Sequence, residues 1–224
     1  MPVIFDFDGT LFDSTYPSVE ALVTVIRQLK LPHDDLKSSI LNLWGAPLNE
    51  IVEIIADKYG WKTSDKIDVL NLFCSTTEKE EENMFAVPTS FLRELSKQTR
   101  IAILSSRRNE DSTRIMKKLQ WDGTIFSWIN FGDDYELHKP NPKVLHHVLN
   151  KMGGKGTEPI IYVGDSSADE DLVLNYTRDY EPACFVAVES GSTTFSLERT
   201  KYVIKGVQNI HRELPGILEI LLTT

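Results

Sequence analysis

The hydrophobic and polar positions divide the chain into two unlike regions. Residues 15 to 87 carry helical periodicity without strand signals, whereas from Pro88 onwards helical patterns alternate with short apolar runs. One such run also opens the chain: Val3-Ile4-Phe5 reads as a strand from its β-branched and aromatic residues, and it stops abruptly at Asp6. Val19, Leu22, Val23, Ile26 and Leu29 then recur at helical spacing, which predicts an amphipathic helix over 15–30. Ser14 can cap that helix and Leu31-Pro32 ends it. Further helices are predicted over 34–43, 48–59 and 65–85, punctuated by Gly45, Pro47 and Gly60.

In the second region, residues 89–98 read as helix and 100–105 as a buried strand ending in small hydroxyls. A helix over 109–119 follows, with Glu110 and Asp111 in its first turn and Lys117 and Lys118 in its last, as the helix dipole favours. Residues 128–131 form a short strand, and Asn141-Pro142 can cap and open a helix that runs to Met152. Strands over 159–163, 183–188 and 201–204 and helices over 169–178 and 207–222 complete the pattern. Strands separated by helices imply parallel pairing with right-handed crossovers. The expected fold is therefore a doubly wound, Rossmann-like α/β core, residues 1–14 and 88–224, with an α-helical cap, residues 15–87, inserted after the first strand.

Composition narrows the function. The 224 residues suffice for one sizeable core plus an inserted subdomain, and 41% hydrophobic with 25% charged residues is ordinary for a globular protein. A formal net charge of −9 argues against nucleic acid or an anionic membrane as partner, since both are bound mainly by clustered Lys and Arg. No apolar run approaches the roughly 20 residues needed to span a bilayer. Cys74 and Cys184 lack metal-type spacing and read as free thiols. With the organising strand so near the first residue, no signal peptide is expected, and a cytoplasmic location follows.

The chemistry begins at Asp6 and Asp8. Residues two apart project to the same side of an extended chain, so both carboxylates can address the space beyond the strand's carboxyl end, where open parallel sheets bind ligands. So close a pair repels unless a cation or shared proton intervenes, and Mg2+ suits a few carboxylates, water and a phosphate. A calcium loop does not fit, because Thr10 and Leu11 break its alternation of donors.

The stretch Asp6-Phe7-Asp8-Gly9-Thr10-Leu11-Phe12-Asp13-Ser14 resembles the first motif, DxDGTLxDS, of the haloacid dehalogenase superfamily. By that resemblance Asp6 is the nucleophile and Asp8 the general acid/base, and the second aspartate points to phosphate esters. The remaining motifs follow in the family's order. Ser105 and Ser106 end an apolar strand, like the second motif, and would bind phosphoryl oxygens. Many relatives carry Asn where Ser106 stands. Lys139 in Lys139-Pro140-Asn141-Pro142 reads on its own as a surface lysine, but it matches the third motif, where it would pair with Asp6 and the phosphate. Gly164-Asp165-Ser166-Ser167-Ala168-Asp169 matches GDSxxD, with Asp165 a direct metal ligand and Asp169 holding the metal or its waters. The expected metal set is thus Asp6, Asp8, Asp165 and Asp169 around Mg2+. Four potential negatives opposed by one lysine would not accept a phosphate dianion without a divalent cation.

The insertion resembles the helical cap of the phosphoglycolate phosphatase and β-phosphoglucomutase type, which would close over the site and read the leaving group. Gly45, in Trp44-Gly45-Ala46-Pro47-Leu48, and Arg107 are the candidate specificity residues. The expected function is Mg2+-dependent hydrolysis of a small phosphorylated metabolite through an aspartyl phosphate, with phosphoglycolate as first candidate. A sugar-phosphate mutase shares every core residue and stays open, as does a non-catalytic phospho-acceptor or sensing module.

Overall fold

The computed structural model describes residues 1–44, 46–80, 84–132, 134, 136–154, 158–190, 195 and 200–223. Six strands, β1 (Val3–Phe5), β2 (Ile101–Leu104), β3 (Trp128–Asn130), β4 (Ile160–Gly164), β5 (Ala183–Val188) and β6 (Tyr202–Ile204), form one sheet in the order β3-β2-β1-β4-β5-β6. Every pairing is parallel. The sheet thus needs helices on both faces, and its central strands are buried on both sides, which is why they read as continuous apolar runs. Their alternation sorts two cores. Val3, Phe5, Ile101, Ile103, Ile161 and Val163 meet helices α5 (Thr89–Gln98), α6 (Asn109–Leu119) and α9 (Ile210–Thr223). Ile4, Ala102, Leu104, Ile160 and Tyr162 meet α7 (Pro142–Lys151) and α8 (Ser167–Asp179). Each fully buried aliphatic or aromatic side chain contributes about 1.5–3 kcal/mol of transfer free energy.

The stretch between β1 and α5 holds four helices, α1 (Thr15–Gln28), α2 (Leu36–Leu43), α3 (Leu48–Tyr59) and α4 (Thr63–Glu80). They enclose a cluster of their own that includes Val19, Leu22, Ile26, Ile40, Ile51, Ile55 and Val69. The chain leaves and re-enters the sheet region side by side: Asp13 N donates to Phe85 O at 2.8 Å and Val87 N to Leu11 O at 2.9 Å. This paired neck is the narrow connection between helices and sheet.

Several element ends differ from the periodicity for identifiable reasons. Ser14 was expected to cap α1, yet that helix starts with no side-chain cap, because the Ser14 hydroxyl donates to Asp8 instead. Helix α4 begins at Thr63 rather than 65, its entry fixed by Lys62 N donating to Asp65 Oδ2 at 2.8 Å. Part of its expected end, residues 81–83, lies outside the described residues. Helix α8 begins at Ser167, two residues early, because Ser166 and Asp169 form a capping box. A 3-10 turn, Val207–Asn209, precedes α9 where one continuous helix was expected. Asn141 does cap α7, its side chain accepting from Lys143 N at 3.0 Å. Among the described residues no helix is long and apolar enough to cross a membrane.

Candidate active site

The order of the sheet makes β1 the point where successive connections reverse, since β2 and β4 flank it, and ligands of open α/β sheets bind outside the strand ends at such a point. After β1, Phe7 turns into the core, its ring centroid 5.8 Å from Phe12 and 6.1 Å from both Trp121 and Phe131. Asp6 and Asp8, on either side of that anchor, line a cavity of about 410 Å³ between the sheet edge and the four helices. The loop then folds back tightly, with Leu11 N and Phe12 N both donating to Phe7 O at 2.9 Å. Gly9 has φ +72°, and a Cβ there would lie 2.0 Å from Asp165 Oδ2 and 2.4 Å from Thr15 Oγ1. Only glycine permits so close an approach of the loop to Asp165.

Asp165 leaves β4 and Asp169 lies in the first turn of α8. With Asp6 they form a buried triad whose ligating oxygens lie within 4.8 Å of one another. Lys139 supplies the opposing charge. Its ammonium donates to Asp6 Oδ1 at 2.7 Å and Asp169 Oδ1 at 2.8 Å, and the lysine side chain is only 3% exposed. A lysine is seldom this buried unless paired, so the pair of carboxylates accounts for its position.

The electrostatics follow from burial. Desolvation raises the Asp6 carboxyl well above its ordinary value, with Asp169 and Asp165 adding to the rise and Lys139 opposing it. The same causes push Asp165 up to about 7: burial first, then Asp169, against a hydrogen bond from Ser190 and the charge of Lys139. Burial disfavours the charge on Lys139, but Asp169 and Asp6 outweigh it and raise the value overall. Three buried carboxylates sharing one lysine are over-supplied with negative charge. Their hard oxygen donors fit a divalent cation such as Mg2+.

Around this centre the other expected residues take distinct places. Asp8 stands outside the triad, with Oδ1 accepting from the Ser14 hydroxyl and from Arg107 Nη1 at 2.7 Å. Ser105, 3% exposed, and Ser106 line the same cavity from the end of β2, and Ser105 Oγ accepts from Arg107 N at 3.1 Å. Gly45 lies outside the described residues. Asp169 is both helix cap and ion-pair partner: it accepts from Ser166 N at 3.1 Å, Ser166 Oγ at 2.6 Å and Tyr162 Oη at 2.9 Å as well as from Lys139.

Four supporting residues had no site role in the sequence reading. Ser14 and Tyr162 look like a helix cap and a strand residue, yet their hydroxyls hold Asp8 and Asp169. Thr15 and Ser190 both donate to Asp165 Oδ2, Thr15 at 3.3 Å. Ser190 follows the carboxyl end of β5, the strand beside β4, and that adjacency is visible only once the sheet order is known.

A Rossmann-like sheet with a buried cluster of carboxylates beside its switch point defines the class: an α/β enzyme core with its acidic groups at the strand ends. The chain belongs to the haloacid dehalogenase-like hydrolases, whose family description matches residues 3–172. The chain is 27% identical over 175 residues to a phosphoglycolate phosphatase of Pseudomonas savastanoi pv. phaseolicola, covering 75% of this chain and 63% of that protein. It thus spans less than two thirds of the length of that relative. A phosphoglycolate phosphatase of Pseudomonas syringae pv. tomato is 27% identical over 227 residues, covering 97% of this chain and 80% of that protein. Among solved structures, a hydrolase from Pseudomonas syringae superposes with a TM-score of 0.74 at 22% identity, over 96% of this chain and 98% of its own, which establishes the shared fold.

Proposed function

We propose that this hydrolase is a Mg2+-dependent phosphatase that cleaves a small phosphomonoester through an aspartyl phosphate on Asp6. The observation that carries the reading is the buried triad of Asp6, Asp165 and Asp169 with Lys139 wedged between two of its members. Asp6 attacks phosphorus in line with the departing alcohol, and Asp8 protonates that alcohol and later takes the proton of the attacking water. Ser105 and Ser106, with the backbone amides that follow them, cradle the phosphoryl oxygens. Lys139 offsets repulsion between nucleophile and substrate. Asp6 and Asp165, steadied by Asp169, would hold Mg2+, which when bound supplies positive charge against the phosphoryl group. Helices α1 to α4 act as the cap that excludes water from the intermediate.

The names of the relatives make phosphoglycolate the first compound to assay. The test is phosphate release from phosphoglycolate and a generic aryl phosphate, with Mg2+ or with EDTA, by the native protein and Asp6→Asn. Release that requires Mg2+ and falls by several orders of magnitude in Asp6→Asn is expected. Undiminished release by Asp6→Asn would refute the nucleophile, and metal-dependent phosphorylation of Asp6 without release would indicate a sugar-phosphate mutase.

A further inference from the structure

The wall of the cavity facing the strand ends comes from the helices, and its chemistry is unlike that of the floor. Its side chains include Trp44, Leu48, Ile51, Leu70 and Phe73, together with the neutral amides of Asn49 and Asn71. Among the described residues, this wall contains no Lys or Arg, and its one charge is the carboxylate of Glu50. Three helical lysines are engaged elsewhere: Lys37 with Glu20 and Tyr16, Lys66 with Glu53, and Lys58 with Ser39.

The floor does contain arginines, and each is salt-bridged to an acid on the same side. Arg107 is paired with Asp8, and Arg108 donates to Asp111 Oδ2 at 2.8 and 3.0 Å and to Cys74 Sγ at 3.0 Å. Against the helical wall, among the described residues, a second anion on the leaving group would meet Glu50 and an apolar face rather than a cation. The volume points the same way. About 410 Å³ lies within the roughly 300–1,000 Å³ typical of pockets for ligands of twenty or so heavy atoms, far more than a two-carbon acid and its phosphate fill.

We infer that the substrate is a phosphomonoester whose leaving group is an uncharged, largely apolar body, aromatic or aliphatic, packed against Trp44, Leu70 and Phe73. This rests on the phosphatase reading above and deepens it by naming the substrate class. Phosphoglycolate, whose leaving group bears a carboxylate, is then a poor member of the panel. The asparagine amides suit a heteroatom or hydroxyl at the edge of that body.

The experiment compares kcat/KM for benzyl phosphate and phosphoglycolate in Mg2+, because both leave as unactivated primary alcohols and differ in what the wall must hold. Benzyl phosphate is expected to exceed phosphoglycolate by at least about tenfold, the scale of burying an aromatic ring. Trp44→Ala should cut that ratio about tenfold. Asn71→Lys, which adds a cation at an exposed position on the wall, should cut it by raising phosphoglycolate turnover, and its exposed side chain leaves the neighbouring apolar residues in place. A native preference for phosphoglycolate, or a ratio unmoved by both variants, would overturn the inference while leaving the phosphatase reading intact. No Mg2+-dependent release from either ester or from an aryl phosphate would sink both together.

Discussion

Replacing Lys139 by Met removes the one cation between two buried carboxylates. The side chains of Lys139, Asp6 and Asp169 are 3%, 7% and 0% exposed, so solvent cannot step in when the ammonium is lost. Breaking a buried pair from one side costs about 3–5 kcal/mol, because the partner charge is stranded. Here two partners are stranded, so the upper part of that range is expected in EDTA at pH 8. At about 2–4 °C per kcal/mol for a chain of this size, a loss of about 4–5 kcal/mol should lower the midpoint of melting by roughly 8–20 °C. Urea unfolding followed by circular dichroism gives the same quantity independently, with an unchanged m-value showing that the folded and unfolded states are otherwise alike. Adding Asp169→Asn to Lys139→Met should recover part of the loss by removing one stranded charge. A single-variant loss below about 1 kcal/mol would refute the reasoning, since the triad would then be balanced by something other than Lys139.

Stability should also depend on pH in a direction opposite to that of ordinary surface carboxylates. Asp165 is raised to about 7 by burial and then by Asp169, so the folded protein takes up its proton before the unfolded chain does. Without metal, stability should therefore rise as pH falls from 7 towards 4, by about 1.4 kcal/mol per pH unit for one proton. Melts in EDTA should be higher at pH 5.5 than at pH 8, and Mg2+ should reverse the order because binding expels the proton; a higher melt at pH 8 without metal would contradict the assignment. Gly9→Ala would force a left-handed backbone on alanine, costing about 1–2 kcal/mol, and would press a methyl group into Asp165. Its signature is a joint loss of melting temperature and of Mg2+ affinity in calorimetric titration, and unchanged affinity would show that the loop does not position Asp165.

Much of the core was legible because its signals are local. The runs at β1, β2 and β4 are continuous and apolar since both faces of a parallel sheet are covered, and the groups that end them form the site. Asp6, Lys139 and the pair Asp165 and Asp169 lie far apart in sequence, yet each lies just after a strand or around the start of a helix, so the topology brings them together. What periodicity could not supply was competition for hydroxyls. Ser14 has the chemistry of a cap, but its oxygen meets Asp8 first, and helical periodicity does not reveal that choice. The helical wall of the cavity was opaque for a related reason. Trp44, Leu70 and Phe73 carry the same periodic signal whether they pack inwards or face a ligand.

The neck at Leu11–Asp13 and Phe85–Val87 has a consequence for the history of such a protein. Paired backbones lie about 4.8 Å apart, so the helical stretch between them begins and ends almost at one point and a tight turn could join its ends. Lengthening, shortening or exchanging the helices therefore costs the sheet little closure entropy and leaves its strand order undisturbed. Helices exchanged at this one point would leave the acids and the lysine at the strand ends where they stand.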